Sequence, residues 1–301
     1  MNIKPALKSN RCCLAVTGVT IAEFESLAPV FTQVLLEERI KRNPDRKRKY
    51  GGGRTGGLKT IEEKLFYSLM YLKTYPTFDV ASFWVGIDRS NCCRLIQNLL
   101  PVLEKTLGRK LVLPKRQIRS VEEFIRLFPE VKDIFPDGTD RRVQKPVSQK
   151  RRKKLYSGKR KATTRKNVVI SDERKRVIIL TPTKSGRRHD KRLFDKAVGG
   201  TNIPLDVAAW VDTGFQGLQK THHNTQIPKK RTKKHPLTEA ELENNRFISG
   251  IRVIGEHAIA GIKRLRVTTD VYRNRLPNLD DTFMLLSTGL WNYHLSMTPY
   301  K

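Results

Sequence analysis

Long apolar runs and acidic residues are both scarce in this chain of 301 residues. No run of about 18 apolar residues occurs, which excludes a membrane-spanning helix. The apolar stretch Leu14–Ala22 is broken by Thr and Gly, so we expect no secretory signal there. A hydrophobic content of 38%, with twelve Phe and three Trp, excludes disorder throughout the chain.

Asp and Glu number only 29 against 60 Lys and Arg, which gives a formal net charge of +31. Such a surplus repels itself in a compact protein, and an enzyme for small metabolites has no need of it. We therefore expect a polyanionic partner, with nucleic acid as the first candidate. The length is comfortable for two domains of about 100–200 residues each.

The four cysteines form two adjacent pairs, Cys12–Cys13 and Cys92–Cys93. Immediate neighbours lack the spacing at which two cysteines bind one zinc ion. We expect all four to be reduced, buried thiols of an intracellular protein.

Capping signals predict two helices near the start of the chain. Thr20 and Thr60 each begin a capping box with the Glu three residues later, and the first of these helices is expected to end at Arg42. Residues 44–59 are expected to form a flexible basic loop, because their glycines favour neither a core nor a strand ladder.

A helix-turn-helix is predicted after the second capping box. A short helix at 80–84 is followed by a tight turn at Gly86, and Ser90 is expected to cap a third helix that ends near Leu103. The N-terminal residues of such a third helix meet the edges of DNA bases. The residues expected to contact DNA there are Arg89, Ser90, Asn91 and Arg94. A generic three-helix bundle is the alternative interpretation.

The second half of the chain has the pattern of a mixed α/β domain. Strands are predicted at 134–139 and 207–211, with a hairpin formed by 167–170 and 177–180. A long helix, again with a capping box, is expected from Thr238 to Leu265. Strands followed by an alternation of strand and helix predict a mixed sheet with helices packed on it.

Two basic runs lie within this predicted domain. Lys and Arg make up thirteen of the 26 residues from Arg141 to Lys166, and none of the 26 is acidic. From His222 to His235 there are five Lys or Arg and three His. Charge runs are commonly only solvated surface. A half-cationic segment between two strands nevertheless favours phosphate contact, with Tyr156 placed to stack between cations.

Three acidic residues stand out in so basic a chain. Asp137 lies in the first strand before a Gly, Asp212 ends the apolar strand, and Glu256 lies within the long helix. A turn, a helix cap and a solvated helix face are the ordinary explanations for such residues.

The helix around Glu256 gives a sharper signal. With 3.6 residues per turn, Glu256 lies about 40° and Lys263 about 20° from Arg252 around the helix axis. An apolar stripe is predicted on a separate face, about 110–120° from Arg252. Its members are Ile251, Ile254, Ala258, Ile262 and Leu265. A surface salt-bridge ladder explains this pattern, and so does a metal ligand between two phosphate-binding cations.

Three segments resemble the signature blocks of DDE transposases, in particular the insertion-sequence and Harbinger-type group. They are Asp137-Gly138-Thr139, Val211-Asp212-Thr213-Gly214-Phe215-Gln216-Gly217-Leu218, and the spacing Arg252-x3-Glu256-x6-Lys263. Further similar segments are Tyr156-Ser157-Gly158-Lys159-Arg160-Lys161, Ile227-Pro228-Lys229-Lys230 and Thr74-Tyr75-Pro76-Thr77-Phe78. Ser249 departs from the group, in which many insertion-sequence relatives carry Tyr.

The resemblance implies a ribonuclease-H-like α/β fold, a mixed sheet with flanking helices, preceded by an all-α helix-turn-helix domain. It implies that Asp137, Asp212 and Glu256 are the catalytic residues and hold two Mg²⁺ (or Mn²⁺) ions per active site, a pairing of oxygen ligands with hard cations. The implied protein is a transposase that binds transposon-end DNA and catalyses metal-dependent phosphodiester hydrolysis and strand transfer.

The expected partners are double-stranded DNA, as terminal inverted repeats and target, and a second copy of the chain in a synaptic homodimer, without a membrane. The residues expected to bind DNA are Arg89, Ser90, Asn91, Arg94, Lys150, Arg151, Arg152, Lys153, Lys154, Tyr156, Lys159, Arg160, Lys161, Lys229, Lys230, Arg252 and Lys263. The expected location is the cytoplasm, on the nucleoid, in a bacterium and the nucleus in a eukaryote.

The expected domains are an N-terminal helical region with a basic linker (1–50), the helix-turn-helix domain (51–110), a linker (111–130) and the catalytic domain (131–301). Two other functions compete with transposition. One is a domesticated relative that binds DNA without catalysis, and the other is a basic RNA-binding protein, which would expose aromatic side chains among its cations.

Overall fold

The computed structural model describes residues 1–45, 47, 56–232 and 236–298. Contacts within the chain group it into two compact units. The first contains the described parts of residues 1–113, 264–270 and 292–301, and the second contains the described parts of residues 114–263 and 271–291. Most of the predicted basic loop at 44–59 lies outside the described residues. The domain boundaries expected from the sequence stay predictions.

The first unit is helical. Its helices are α1 (Asn10–Thr17), α2 (Ile21–Arg42), α3 (Ile61–Thr74), α4 (Phe78–Val85) and α5 (Arg89–Arg109). Both predicted capping boxes are present, because Thr20 and Thr60 each exchange hydrogen bonds with the Glu three residues later. Within the described residues no single helix is long and apolar enough to cross a membrane, and α1 and α2, bent by 58°, meet that criterion only as a pair.

Helix α5 begins before and ends after its predicted limits. Its N-cap is Asp88, whose Oδ1 accepts a hydrogen bond from the Ser90 N–H at 2.8 Å, so the prediction of Ser90 as the cap is wrong. A carboxylate at this position also interacts favourably with the helix dipole. The helix continues through a proline to Arg109 because Leu103 and Leu107 are fully buried, and that burial outweighs one lost backbone hydrogen bond.

Only two of the four cysteines are buried. Cys13 and Cys92 are inaccessible to solvent, whereas Cys12 is exposed and Cys93 is partly exposed. Consecutive helical residues point about 100° apart, so two adjacent cysteines do not both face one core. The prediction that all four thiols are buried is therefore wrong.

The second unit is a mixed sheet with helices on both faces. Its strands are β1 (Asp133–Arg142), β2 (Tyr156–Ser157), β3 (Ala162–Asp172), β4 (Val177–Leu180), β5 (Lys184–Ser185), β6 (Ala208–Trp210) and β7 (Thr225–Gln226). Its helices are α6 (Val121–Leu127), α7 (Gln149–Leu155), α8 (Asp190–Ala197), α9 (Glu239–Lys263) and α10 (Leu279–Met297), the last of which belongs to this unit as far as Trp291.

The long strand β3 organises the antiparallel part of the sheet. One edge of β3 pairs antiparallel with β1, and its other edge pairs antiparallel with β2, β5 and β4 in turn. On its far side β1 pairs parallel with β6, which pairs parallel with β7. The mixed α/β sheet predicted from the sequence is confirmed.

Alternate residues of β3 face two cores. Val168 and Ile170 pack in one core with Phe194 of α8, and Val169 packs in the other with Ile262 of α9. The two cores thereby fix helices on both faces of the sheet.

The stripe that α9 buries differs from the predicted one. The buried residues of α9 are Ile248, Gly255, Ala258, Ile259, Gly261 and Ile262. The predicted members Ile251 and Ile254 are only half-buried, and Leu265 lies beyond the end of the helix. The buried face of the helix includes Gly255 and Gly261. A prediction from the spacing of apolar side chains leaves glycines out, and so it placed the stripe on the wrong residues.

Candidate active site and nucleic-acid interface

Two of the three predicted catalytic carboxylates come from neighbouring parallel strands. Ile134 of β1 pairs with Ala209 of β6, and Asp137 and Asp212 each lie three residues further along the chain. Equal steps from a paired position in parallel strands bring two residues to the same edge of a sheet. Asp137 and Asp212 are therefore close enough for the charge of one to act on the other.

A glycine amide orients each of these two carboxylates. The Gly138 N–H donates to Asp137 Oδ1 at 2.8 Å, and the Gly214 N–H donates to Asp212 Oδ1 at 2.8 Å. Asp212 thereby caps the 3-10 helix Thr213–Phe215, so the ordinary explanation of a strand-terminal Asp is correct for one of its oxygens. These two bonds use Oδ1 of each residue and leave Oδ2 for another partner.

Burial raises the pKa of the Asp137 carboxyl, and the negative charge of Asp212 raises it further. The Gly138 amide and the cations Arg252 and Lys159 act in the opposite direction without cancelling the rise in this pKa. Two carboxylates that repel each other in a partly buried place are stabilised when a cation binds between them. The electrostatics of the pair therefore suit a metal ion.

Helix α9 crosses β1 at very short range next to Asp137. A Cβ built on Gly255 would lie 3.0 Å from Phe135 Cβ, tighter than ordinary contact. Phe135 precedes Asp137 by two residues in the same strand. Glycine at position 255 therefore allows the helix to lie against the strand that carries the first carboxylate.

The cations of α9 identify the helix face that is turned toward Asp137. Arg252 lowers the pKa of Asp137, and Lys263 in turn is influenced by the charge of Asp137. Burial, and then Arg160, lower the pKa of Lys263, against the opposing effect of Asp137. Glu256 shares the helix face of Arg252 and Lys263, so that face carries all three toward the carboxylate pair.

Glu256 itself is exposed to solvent. Within the described parts of the chain, no three His, Cys, Asp or Glu side chains lie close enough together to hold a metal ion. The structure thus brings Asp137, Asp212, Lys159, Arg252 and Lys263 together, and within the described residues Glu256 does not complete a three-residue ligand group with the two aspartates. The oxygen-only donors fit Mg²⁺ or Mn²⁺, and a third ligand would require a new rotamer of the exposed Glu256 side chain.

Cations line two cavities that share part of their lining, and Asp212 lines the first of them. In the first, of about 410 Å³, the ammonium of Lys159 lies 3.9 Å from Asp212 Oδ2. The second, of about 900 Å³, shares its Arg187, Arg188 and His189 lining with the first. We call the two cavities together the cationic trough. Further cationic residues of the second cavity are Lys150, Lys153, Lys154 and Arg192.

Three residues of the cationic trough were missed from the sequence: Arg187, Arg188 and Arg192. The only signal for them is a pair of arginines directly before α8, which does not stand out among 60 Lys and Arg. Residues 150–154 were predicted from the sequence to contact DNA, as part of a basic run between two strands, and that role stays a prediction. They form helix α7, capped by the Ser148 side chain.

The other predicted DNA contacts in the run from Arg141 to Lys166 differ in their exposure and in the bonds that they make. Tyr156 and Ser157 form β2, because they pair with the start of β3, and Gly158 and Lys159 lie in the turn that follows. Tyr156 is 45% exposed and so remains available for stacking. Arg151 and Lys161 are exposed, whereas the Arg152 guanidinium donates to the Val147 carbonyl. Arg160 Nε lies 3.8 Å from the Asp140 carboxylate.

Lys229 and Lys230 lie near the start of α9. The Lys229 ammonium pairs with Glu241, and its backbone N–H donates to Asn245 at 2.8 Å. Lys230 is exposed. The residues from Lys233 to His235, the end of the second basic run, lie outside the described residues.

The predicted base-reading residues lie at the exposed start of α5. Arg89 pairs with Asp79 of α4 at 3.5 Å, and Arg94 donates to the Asn91 side chain at 3.0 Å. Arg89, Ser90, Asn91 and Arg94 are all exposed. In a helix-turn-helix the second helix of the pair, here α5 after α4, places the residues of its N-terminus in the DNA major groove. The exposed polar residues at the start of α5 have this arrangement.

Comparison with known proteins gives the same assignment for both units. Residues 57–109 match the helix-turn-helix of DDE superfamily endonuclease, and residues 136–292 match DDE superfamily endonuclease. The chain is similar to a probable transposase for insertion sequence element IS702 from Microchaete diplosiphon, with 26% identity over 282 residues and 94% of each chain covered. No solved structure gives a significant match. Since the endonuclease match covers more than half of the 301 residues, the chain belongs to the DDE superfamily endonucleases.

Proposed function

We propose that the protein is a transposase, which binds transposon-end DNA and catalyses metal-dependent phosphodiester hydrolysis and strand transfer. The observation that supports this most strongly is the parallel register of β1 and β6, through which Asp137 and Asp212 become neighbours in a cationic surrounding. A basic RNA-binding protein has no use for a repelling pair of carboxylates at the end of its sheet.

Asp137, Asp212 and Glu256 would hold two Mg²⁺ or Mn²⁺ ions. When bound, such ions activate a water or a DNA 3′-hydroxyl and stabilise the departing oxygen. The Gly138 and Gly214 amides fix the carboxylates of Asp137 and Asp212. Glu256, whose side chain is exposed, would be the third residue to hold the ions after a change of rotamer.

The cations around the carboxylates would hold DNA phosphates. Arg252 and Lys263 lie on the same face of α9 as Glu256 and bind phosphates next to the reacting bond. Lys159 compensates Asp212 in the ion-free protein, at 3.9 Å. The cationic trough from Asp212 to α7 then follows the DNA backbone away from the site, independent of base sequence.

The start of α5 would read the transposon ends. Changes at Arg89 or Arg94 should alter the preference for terminal repeats over random duplexes more than they alter overall affinity, because base-edge contacts specify and phosphate contacts position. We also propose that two copies act together on two ends, and that the protein resides with the DNA, on a bacterial nucleoid or in a nucleus.

The proposal is tested with duplexes that carry the inverted repeats flanking the reading frame. Asp137→Asn, Asp212→Asn and Glu256→Gln should each lower cleavage by more than about 100-fold, beyond the usual loss for a residue that only supports a metal ligand. Binding of the same duplexes should stay within about twofold of wild type. The matched controls are Asp206→Asn, ahead of β6, and Glu243→Gln, on α9, which both replace exposed acids.

Two results would reject the proposal. If wild-type protein binds these duplexes but does not nick them with Mg²⁺ or Mn²⁺, the protein is the non-catalytic DNA-binding relative. If structured RNA displaces duplex DNA, it is an RNA-binding protein.

The cationic trough is tested by the salt dependence of DNA binding. Lys153→Ser should weaken binding of all duplexes alike and lower the log–log salt slope by about one, because one phosphate contact is lost. Lys196→Ser, an exposed position of α8 outside the lining of the trough, is the control and should leave the slope unchanged. Equal slopes for both variants would remove the trough from the DNA path.

A further inference from the structure

Asp190 is a buried carboxylate close to the candidate site that the proposed chemistry does not use. It is the first residue of α8 and is 8% exposed. It faces the end of the sheet where Asp137 and Asp212 lie, and it lines the first cavity of the cationic trough together with Asp212. A buried carboxylate in this place needs a physical reason.

Both glycines that orient the predicted metal ligands lie against this carboxylate. A Cβ on Gly138 would lie 2.7 Å from Asp190 Oδ1 and 2.7 Å from its Cγ. A Cβ on Gly214 would lie 3.5 Å from Asp190 Oδ2 and 2.8 Å from Asp212 Oδ1. The Asp190 carboxylate thus fills the space that a side chain at Gly138 would take, and it lies at ordinary contact distance from the place of a side chain at Gly214.

A buried lysine holds Asp190 in this position. Lys166 of β3, with a side chain only 7% exposed, has its ammonium 2.9 Å from Asp190 Oδ1 and 4.0 Å from Asp140 Oδ2. The ion pair with Lys166 therefore holds the carboxylate beside the two glycines.

We infer that Asp190, held by Lys166, is a positioning residue: it braces the Gly138 and Gly214 backbone, whose amides orient Asp137 and Asp212. The effect of Asp190 on catalysis rests on the proposed function, whereas its contact with the two glycines does not. Asp190 does not form a three-residue ligand group with Asp137 and Asp212 within the described residues, so its role is exerted through the two glycines. It couples the start of α8 to the two turns that carry the metal ligands.

Amide hydrogen exchange of the full chain, without metal or DNA, tests the bracing directly. In Asp190→Asn the amides of Gly138 and Gly214 should exchange about tenfold faster than in wild type, because their turns open more often. Peptides from the centre of β3 should exchange unchanged. The matched control is Asp195→Asn, on the same helix, whose carboxylate is 41% exposed and pairs with Lys191.

The Mn²⁺ dependence of nicking separates positioning from a merely structural role. Asp190→Asn should raise the Mn²⁺ concentration for half-maximal nicking by about 10- to 100-fold, as removal of groups that orient metal ligands does, with duplex binding within twofold of wild type. Lys166→Met is the second variant, and Lys166→Met with Asp190→Asn removes the Lys166–Asp190 charge pair while Arg160 still faces Asp140. The double variant should fold as wild type does and keep the raised Mn²⁺ requirement.

Unchanged exchange at Gly138 and Gly214 in Asp190→Asn would overturn the inference, whether or not the wild-type protein nicks DNA. Faster exchange throughout β3 with an unchanged Mn²⁺ requirement would also overturn it, since Asp190 would then only stabilise the fold. A wild-type protein that fails to nick rejects the proposed function, and the exchange result still decides whether Asp190 braces the two turns.

Discussion

Replacing Asp137 with Asn should stabilise the ion-free protein while it removes one of the proposed metal ligands. Burial raises the pKa of Asp137, and so does the charge of Asp212, so the ionised carboxylate is disfavoured in the folded state. One pKa unit corresponds to about 1.4 kcal/mol. We therefore expect Asp137→Asn to add on the order of 1 kcal/mol near pH 7, which is about 2–4 °C in Tm for a unit of this size.

The pH dependence of this gain has a defined sign. Because the folded-state pKa of Asp137 is raised, its favourable contribution is complete below the ordinary Asp pKa of 3.8 and is lost as pH rises through the folded-state pKa. The Tm of Asp137→Asn should therefore match that of wild type in acid and exceed it at neutral pH. Mn²⁺ should raise the Tm of wild type and leave that of the variant nearly unchanged.

Thermal unfolding in EDTA and in MnCl₂ measures these effects. The matched control is Asp206→Asn, which replaces an exposed acid ahead of strand β6 and should leave the Tm unchanged. If Asp137→Asn lowers the Tm in EDTA, or leaves it unchanged as Asp206→Asn does, the reasoning is refuted.

Two further predictions concern stability. Burial raises the pKa of Glu23, but the contact of its carboxylate with His294 at 2.5 Å outweighs this and leaves the pKa lowered. Glu23→Gln should cost about 1.5–3 kcal/mol at pH 7, and this cost should fall as pH drops from the ordinary Glu pKa of 4.5 through the lowered folded-state pKa, as urea unfolding against pH would measure. Gly261→Ala should cost about 1–3 kcal/mol, because its Cβ would lie 2.3 Å from the Trp291 ring. Gly250→Ala on the same helix meets nothing within 4 Å and should stabilise by about 0.5–1 kcal/mol; equal effects of the two alanines would contradict the packing argument.

Local signals predicted the helices well. The capping boxes at Thr20, Thr60 and Thr238 involve residues three apart, so the sequence contains both partners of each one. The predicted cap of α5 was wrong because Asp88 and Ser90 are both residue types that cap helices well. The predicted end was wrong because burial of Leu107, and not a local sequence signal, extends the helix.

The site could be predicted only as separate pieces. Spacing on one helix linked Arg252, Glu256 and Lys263, because helical geometry is local. The proximity of Asp137 to Asp212 depends on the register of two parallel strands, which neither segment contains by itself. The same holds for the approach of Arg187 to residues 150–154 and for the contacts of Asp190 with two distant glycines.

The central claim is that Asp137, Asp212 and Glu256 jointly hold divalent cations. Anomalous diffraction from crystals of the DNA complex grown with Mn²⁺ tests it most directly. The claim predicts two Mn²⁺ peaks about 3.5–4 Å apart, with carboxylate oxygens of all three residues as ligands at about 2.0–2.4 Å. Peaks at Asp137 and Asp212 with Glu256 still turned to solvent, or no peak at the carboxylate pair, would contradict it.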